Sequence, residues 1–551
     1  MASDNETASS DQLRPEAPID VLPVEILLEI FTLGANSSSN TSFSFLVSTI
    51  CRSWRSLAIG EPRLWTNLTL TTTTAVEPLP IPTDSSFLVS LVFPREALIV
   101  ERSADTDIGF YIGHKYPEEY EMERHPLTED HFFVLSHLLA DQAHRIRSLR
   151  VTTLDWPEIY HLCTKLRGIP MPRLETYYLK ALCSDVTVRM VTFGEPTQPV
   201  QLLEYAQDDD ALPMTSQDLR ICGGLLYPAL KDVCCSGIPM DWGRFCASNL
   251  RLLSLQNQPL EARPSMEILR GIISNSKDTL EHLLLTYVVG LDEELGDPPL
   301  SESRLMLTHV KHLKLLYIDP REAQQILRAI DFPALCKLTI KSHDEDDDSS
   351  AVLVDVLKYV RVEELFDVML AGISLPPEDF PEQKLNGAAQ ESLPLILQFL
   401  HRLTRGNLFQ LVLEYCCDDF LKFMNYGNEF GGGKLNLSGL NTLIVKAGTE
   451  DSSIRVMSFI RDRLELGTVD GVYAGPAMEH LIITVKPNVE EEAESLGDLK
   501  LAKDLRFFFC NILIDEVREV ISGTDRNSVA SMVQDTVLRR KILLALRNTP
   551  K

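Results

Sequence analysis

The sequence predicts an α/β chain in two parts: a small all-α helical unit, then an irregular solenoid of strand–helix repeats carrying a parallel sheet. Three observations predict it. One apolar phrase recurs ten times along the chain, two apolar-spaced helical segments precede the repeats, and the composition, 44% hydrophobic and 24% charged, is that of an ordinary folded protein. With 551 residues the chain has room for roughly two to four domains or for one long array.

Residues 1–17 are mostly Ser, Asp, Glu and Ala, too polar to bury the surface that ordering requires, and are expected to form a disordered tail. A compact unit is expected over 18–70. In LPVEILLEIF (22–31), Asp20 is placed to cap and Pro23 to occupy the first turn, and Ile26, Leu27, Ile30 and Phe31 are expected to make one apolar face. Gly34 should end that helix, and GANSSSNTS (34–42) reads as a polar connection. FSFLVSTICRSWRSLAI resumes apolar spacing through Phe45, Val47, Ile50, Cys51, Trp54 and Leu57, which predicts a second helix. EPRLWTNLTL (61–70) then opens on a proline turn and passes into alternation around Trp65, Leu68 and Leu70. A unit of about fifty residues buries little core alone, so an apolar helix face left for a partner is expected.

Residues 71–151 are expected to form a linker and an opening cap. REALIVERSADTDIGFYI (95–112) reads as helix then strand, and FFVLSHLLADQAHRIRSLRV (132–151) repeats that order. The recurring phrase, an apolar residue, two variable ones, then apolar-x-apolar, appears as RIRSLRV (145–151), LETYYL (174–179), LKDVCC (230–235), LRLLSL (250–255), LEHLLL (280–285), VKHLKL (310–315), LCKLTI (335–340), LFQLVL (408–413), LNTLIV (440–445) and MEHLII (478–483). A faint copy lies at VQLLEY (200–205) and a poorer one near LFDVML (365–370), and the spacing centres on about 30 residues. Apolar-x-apolar in a strand sends both marked side chains to one face, and following stretches such as PREAQQILRAI (320–330) have helical spacing. Each repeat is therefore expected to be a strand plus a helix, stacked over 152–497, with a helical cap at 498–551 that includes the basic VLRRKILLALR (537–547).

Charge and cysteine content narrow the functional classes. With 52 basic and 79 acidic side chains the formal net charge is −27, which disfavours binding to nucleic acid and to anionic membrane. Eleven cysteines include no CxxC pair, and the adjacent pairs Cys234-Cys235 and Cys416-Cys417 are too close for unstrained disulfides. They read as buried thiols of an intracellular protein, cytoplasmic or nuclear. The start of the chain lacks a basic and apolar leader pattern, and no run approaches membrane-spanning length. No catalytic residue, cofactor or metal site is expected. GNEFGGGKLN (427–436) fails as a phosphate loop, having Asn428 where the first Gly belongs and Leu435 in place of Ser or Thr. HVKH (309–312), read as strand, puts His309 and His312 on opposite faces. SHDEDDDSS (342–350) lacks the central Gly of a calcium loop and, with EEEAE (490–494) and YAQDDD (205–210), reads as a solvated acidic connection. The three acidic clusters suit either solubility or the attraction of a basic protein partner.

LPVEILLEIF at 22–31, ICRSWRSLA at 50–58 and PRLW at 62–65 follow one another in the order of a known family. The Leu-Pro start, the Cys-x-x-Trp step and the Pro-x-Leu-Trp close make this region resemble an F-box, and the ERS step at 101–103 resembles the stretch after the box in fungal-type members. The repeats resemble degenerate leucine-rich repeats, without the fixed Asn or Cys. The connection at 34–44 is longer and richer in Ser and Asn than the usual pattern, and Ile50 stands where valine is common. The resemblance implies a Skp-type adaptor and through it a cullin as partners, with Leu22, Pro23, Ile26, Ile30, Ile50, Cys51 and Trp54 carrying the adaptor contact or its support. It implies the substrate-receptor subunit of a cullin-RING ubiquitin ligase of the SCF type, taking a protein target on its repeats. A non-catalytic interaction scaffold acting outside a ligase is the alternative, and the residues that hold a target are not legible.

Overall fold

Leucine at alternate positions of a short strand gives it one apolar face, and in the computed structural model of this chain that row recurs from strand to strand. Apart from single positions within them, the structure describes 22–37, 42–71, 88–113, 127–153, 168–181, 226–288, 304–342, 357–372, 408–414 and 442–448, together with the strand residues 468–469, 472–473 and 480–485 and a few isolated positions. The expected tail at 1–17, the cap at 498–551, the faint repeat at 200–205, the acidic clusters (205–210, 343–350, 490–494) and the glycine-rich loop at 427–436 lie outside the described residues. The chain divides into two units, the first being 1–178 with 225–229 and the second 179–224 with 230–551.

In the first unit α1 (Val24–Ser37), α2 (Ser42–Ile50) and α3 (Arg52–Gly60) lead into a 3-10 turn (Pro62–Trp65) and β1 (Asn67–Leu70). Then come α4 (Leu88–Val92), α5 (Pro94–Arg102), β2 (Ile108–Gly113), α6 (Glu129–Gln142) and β3 (Ile146–Thr153), while β4 (Thr176–Ala181) spans the boundary at 178/179. β1, β2 and β3 pair in parallel, aligning Leu68, Phe110 and Leu149 and, one step on, Leu70, Ile112 and Val151, all fully buried. The helix–strand order expected at 95–112 is thus found. What sets the turn between α5 and β2 is the buried guanidinium of Arg145. It donates to Val100 O (3.1 Å), Thr106 O (3.2 Å), Ser103 Oγ (2.9 Å) and Gln142 Oε1 (2.7 Å), taking up carbonyls that the end of α5 leaves open.

Two helix boundaries differ from the sequence expectation. α1 does not stop at Gly34 but runs on to Ser37, and a Cβ at position 34 would collide with the Phe43 ring. Glycine there permits a close approach rather than a helix end. The expected second helix is two helices, broken at Cys51, whose extended backbone (φ −153°, ψ 170°) makes it the N-cap of α3. The Cys51 thiol accepts from Trp54 N at 3.4 Å.

The second unit contains β5 (Asp232–Ser236), β6 (Leu252–Gln256), α7 (Met266–Ser274), β7 (His282–Thr286), β8 (Leu305–Met306), β9 (His312–Ile318), α8 (Pro320–Ala329), β10 (Ile330–Asp331), β11 (Lys337–Ser342), β12 (Asp367–Ala371), β13 (Gln410–Glu414) and β14 (Thr442–Gly448). β15 (Thr468–Val469), β16 (Val472–Tyr473) and β17 (His480–Val485) come last. Its main sheet runs β5-β6-β7-β9-β11-β12-β13-β14-β17, with every neighbouring pair parallel. The poorer copy at 365–370 coincides with a strand of this sheet, since β12 lies in register between β11 and β13. Val233, Leu253, Leu283, Leu313, Leu338, Val368 and Leu411 align across the strands, as do Cys235, Leu255, Leu285, Leu315, Ile340, Leu370 and Leu413, and both rows are fully buried.

Among the described residues, the strand plus helix expected of each repeat is found after β6 and after β9. α7 is capped by Ser265 and buries Leu269, Ile272 and Ile273; α8 is capped by Asp319 and buries Ala323, Ile326 and Leu327. The short connection from β5 to β6 has only a 3-10 turn (Trp242–Arg244). Backbone devices close the strands at both ends. At the start, one carbonyl accepts two N–H groups of the next repeat: Arg251 O from Glu281 (2.9 Å) and His282 (3.0 Å), Glu281 O from Lys311 (2.9 Å) and His312 (3.1 Å). At the end the chain turns left-handed, at Gly237 (φ 68°), Asn257 (49°), Tyr287 (49°) and Gly372 (64°). The N–H groups of Gly237, Asn257 and Gly372 continue the ladder to Gln256 O, Thr286 O and Glu414 O. A left-handed tyrosine costs about 1–2 kcal/mol. Tyr287 is held there by stacking on Tyr317, itself left-handed, with centroids 6.5 Å apart.

Two outcomes test this packing. Leu313→Ala, which empties a position walled by its neighbours in the row, is expected to lower stability by about 2–5 kcal/mol in urea unfolding followed by far-UV circular dichroism. Glu96 on α5 is fully buried, its carboxylate oxygens meet no hydrogen-bond partner among the described residues, and burial pushes its pKa up. A carboxyl whose folded pKa is raised destabilises the fold increasingly as pH climbs from its unfolded to its folded value. Glu96→Gln is therefore expected to raise the melting temperature at neutral pH, with the gain fading as pH falls toward the ordinary glutamate range.

Candidate functional site

The apolar residues of α1, expected to share one face, divide into two. Leu27, Phe31 and Ala35, spaced i, i+4, i+8, are buried, while Ile26, Ile30 and Leu33 stand in solvent, Leu33 at 67% exposure. α2 divides likewise: Ser44, Val47 and Ser48 are buried, and Leu46 and Ile50, one turn apart, are each 58% exposed. Leu22, Val24 and Ile59 are exposed too. So many large aliphatic side chains outside the core of three short helices is more than scattered surface apolarity.

The inner stripe explains how so small a unit can leave these groups outside. Trp65 is buried and its indole N–H donates to Ala58 O at 2.7 Å, joining the 3-10 turn to α3. Phe45 meets that indole edge-on with centroids 5.0 Å apart, and Ser44 Oγ donates to Leu64 O. Two cations from α5 close the stack, Arg102 over Trp65 at 4.5 Å and Arg95 over Phe45 at 4.3 Å. Arg55 Nε donates to Ser48 O at 2.8 Å and ties α3 to α2. Arg63 bridges Glu61 (2.7 Å) and Glu29 (3.2 Å), linking the 3-10 turn to α1, and its hydrogen bond draws the Glu61 carboxyl below its ordinary pKa. These exposed pairs orient more than they stabilise.

Leu22, Pro23, Ile26, Ile30, Ile50 and Cys51 are all exposed, as a contact role requires. Trp54 is half-buried, its ring 4.8 Å from Phe31, so it lies on the supporting side. Sequence reasoning missed Leu33 and Leu46. Both are legible as i+3 from Ile30 and i−4 from Ile50.

The candidate chemical groups elsewhere do not converge. Among the described residues no three His, Cys, Asp or Glu side chains group as a metal site, and no helix is long and apolar enough to cross a membrane. Burial pushes the Cys163 thiol up to about 12, well away from a reactive thiolate. His309 lies in a turn rather than in a strand, and His312, which opens β9, meets the ring of His282 instead.

Comparison with curated proteins gives no match to this chain. Residues 19–71, the segment that holds α1 to β1 and the whole of the exposed apolar stripe, match the family described as F-box-like, and the chain therefore carries an F-box-like domain.

Proposed function

We propose that this chain is a substrate-receptor subunit of an SCF-type cullin-RING ubiquitin ligase. Its F-box-like domain docks on a Skp-type adaptor and through it on a cullin, and its strand array receives a protein target. The observation that carries this reading is the exposed stripe of Ile26, Ile30, Leu33, Leu46 and Ile50 within the segment that matches the F-box-like family. F-box domains typically bind such adaptors. The parallel strands, aligned leucine rows and recurrent left-handed turns support reading the second unit as degenerate leucine-rich repeats stacked in a solenoid. Its contribution to ubiquitin transfer is nearness: the target is held while other subunits bring the chemistry, so no catalytic group, cofactor or metal is assigned here. The net charge of −27 supports a protein target over nucleic acid or an anionic membrane, and the thiols support an intracellular site of action.

Tagged full-length protein is expected to co-purify with adaptor and cullin. Ile30→Asp with Ile50→Asp should abolish that capture, because each places a charge in a desolvated apolar contact, at a cost of about 2 kcal/mol or more. Ala at Leu22, Pro23, Ile26 or Leu33 should weaken capture in part. Trp54→Ala should weaken it together with thermal stability, through the lost Phe31 contact, whereas Cys51→Ser should retain both. Undiminished capture by the Ile30/Ile50 double variant would sink the assignment.

A further inference from the structure

The face of the second unit's sheet opposite the buried leucine rows carries a row of its own. Register places Asp232, Leu252, His282, His312, Lys337, Asp367 and Gln410 side by side on successive strands. Two residues along, on the same face, Lys314 stands between Leu284 and Thr339. The carboxylates of this face are engaged: Asp232 by Arg251 (2.7 Å), Asp367 by Lys337 (3.3 Å) and the Gln410 amide (3.3 Å), Glu414 by Lys341 (3.3 Å).

The middle of the row is different. His282 and His312 meet edge to face with centroids 4.4 Å apart, and Lys314 is exposed and has no ion-pair partner among the described residues. Asp367, beyond Lys337, is the one carboxylate in this part of the row, and Glu281, which precedes His282 in the chain, lies 4.0 Å from that imidazole and 3.9 Å from Lys311. Burial, and then the neighbouring charges of His282, Lys337 and Lys314, hold His312 below its ordinary pKa, with Asp367 opposing. At the start of β12 and β13, Phe366 and Phe409 expose their rings, the former under the Lys337 ammonium at 5.3 Å.

We infer that the target segment received on this face is acidic, its carboxylates meeting His282, His312, Lys314 and Lys337 and an adjoining apolar side chain packing on Phe366 and Phe409. The inference rests on the target-receiving role proposed above and names the chemistry of that target. Charge complementarity selects the occupant. A chain of net charge −27 repels acidic peptides in general, and this patch of cations, with its nearest carboxylates already engaged, is where one gains by approaching. A basic segment, which the acidic clusters of the sequence would suit, meets like charge here. An arriving carboxylate relieves the repulsion around the His312 imidazole and favours its protonation, so binding takes up a proton and tightens as pH falls.

The probe is a fluorescein-labelled peptide of alternating Glu and Leu, followed by anisotropy with the full chain, with a Lys/Leu peptide of the same length for comparison. The Glu/Leu peptide is expected to bind, more weakly as salt rises, and more tightly at about pH 6 than at about pH 7.5. Lys314→Glu with Lys337→Glu should weaken it roughly tenfold or more, the two Lys→Arg changes should restore it, and His282→Gln with His312→Gln should flatten the pH dependence. The exposed single change Lys314→Gln, with circular dichroism as the folding control, keeps the test valid if the double variant misfolds. Absence of Glu/Leu binding, equal or tighter binding of the Lys/Leu peptide, or unchanged affinity in the folded Lys314 and Lys337 variants overturns the inference. Adaptor capture, measured on the same proteins, separates the two proposals: its absence in the parent chain sinks the ligase role and leaves this face standing.

Discussion

Parallel pairing in strict register is the constraint on which the second unit depends. Parallel strands cannot be joined by a tight hairpin, so the chain must leave the sheet and return to the same edge each time. The buried row from Val233 to Leu411 sets where it returns, because a slip of one residue would turn every leucine outward. The paired N–H donors at the starts of β6, β7, β9, β11, β12 and β13 and the left-handed turn at several strand ends answer the same need, since backbone groups leaving the sheet require partners as much as those within it. Once the inner face is fixed, the outer face is fixed with it. His282, His312 and Lys337 come from three separate repeats and lie side by side because the leucine after each of them does.

The first unit solves a different problem. Three short helices cannot enclose a large core, and their apolar residues are shared between an inner stripe, closed by Trp65 and the two α5 arginines, and an outer one left in solvent. The outer stripe costs solubility when nothing covers it, and the inner stripe supplies the rigidity that lets it persist without collapsing inward.

The strands were largely legible because apolar-x-apolar with burial on one face is a short-range pattern, and copies of the phrase coincide with strands in both units, such as β3 at RIRSLRV, β7 at LEHLLL and β11 at LCKLTI. β12 was faint because Met369 adds an apolar residue out of phase with Val368 and Leu370. The boundary at Gly34 and the break at Cys51 were not legible, for both depend on tertiary packing: a phenyl ring pressed on a glycine, and a thiol accepting a backbone N–H. The division of Ile26 and Ile30 from Leu27 and Phe31 was hidden for a similar reason. Apolar residues at i, i+1, i+4, i+5 span two adjacent helix faces, and only the packed neighbours decide which one is covered.

The pairing of β1 with β2 bears on where the F-box-like domain can be separated from the rest of the chain. The strand at the end of the F-box-like segment supplies its N–H and C=O groups to a neighbour some forty residues further along, from Asn67 against Gly109 to Leu70 against Ile112. Cut after Leu70, the three helices would keep their outer stripe but carry an unpaired strand beside it, with Trp65 stripped of Arg102 and Phe45 of Arg95. A fragment of that kind presents two adhesive edges at once and invites strand exchange between copies. The folded unit that holds the F-box-like segment therefore extends through β2, past the point at which the family likeness ends.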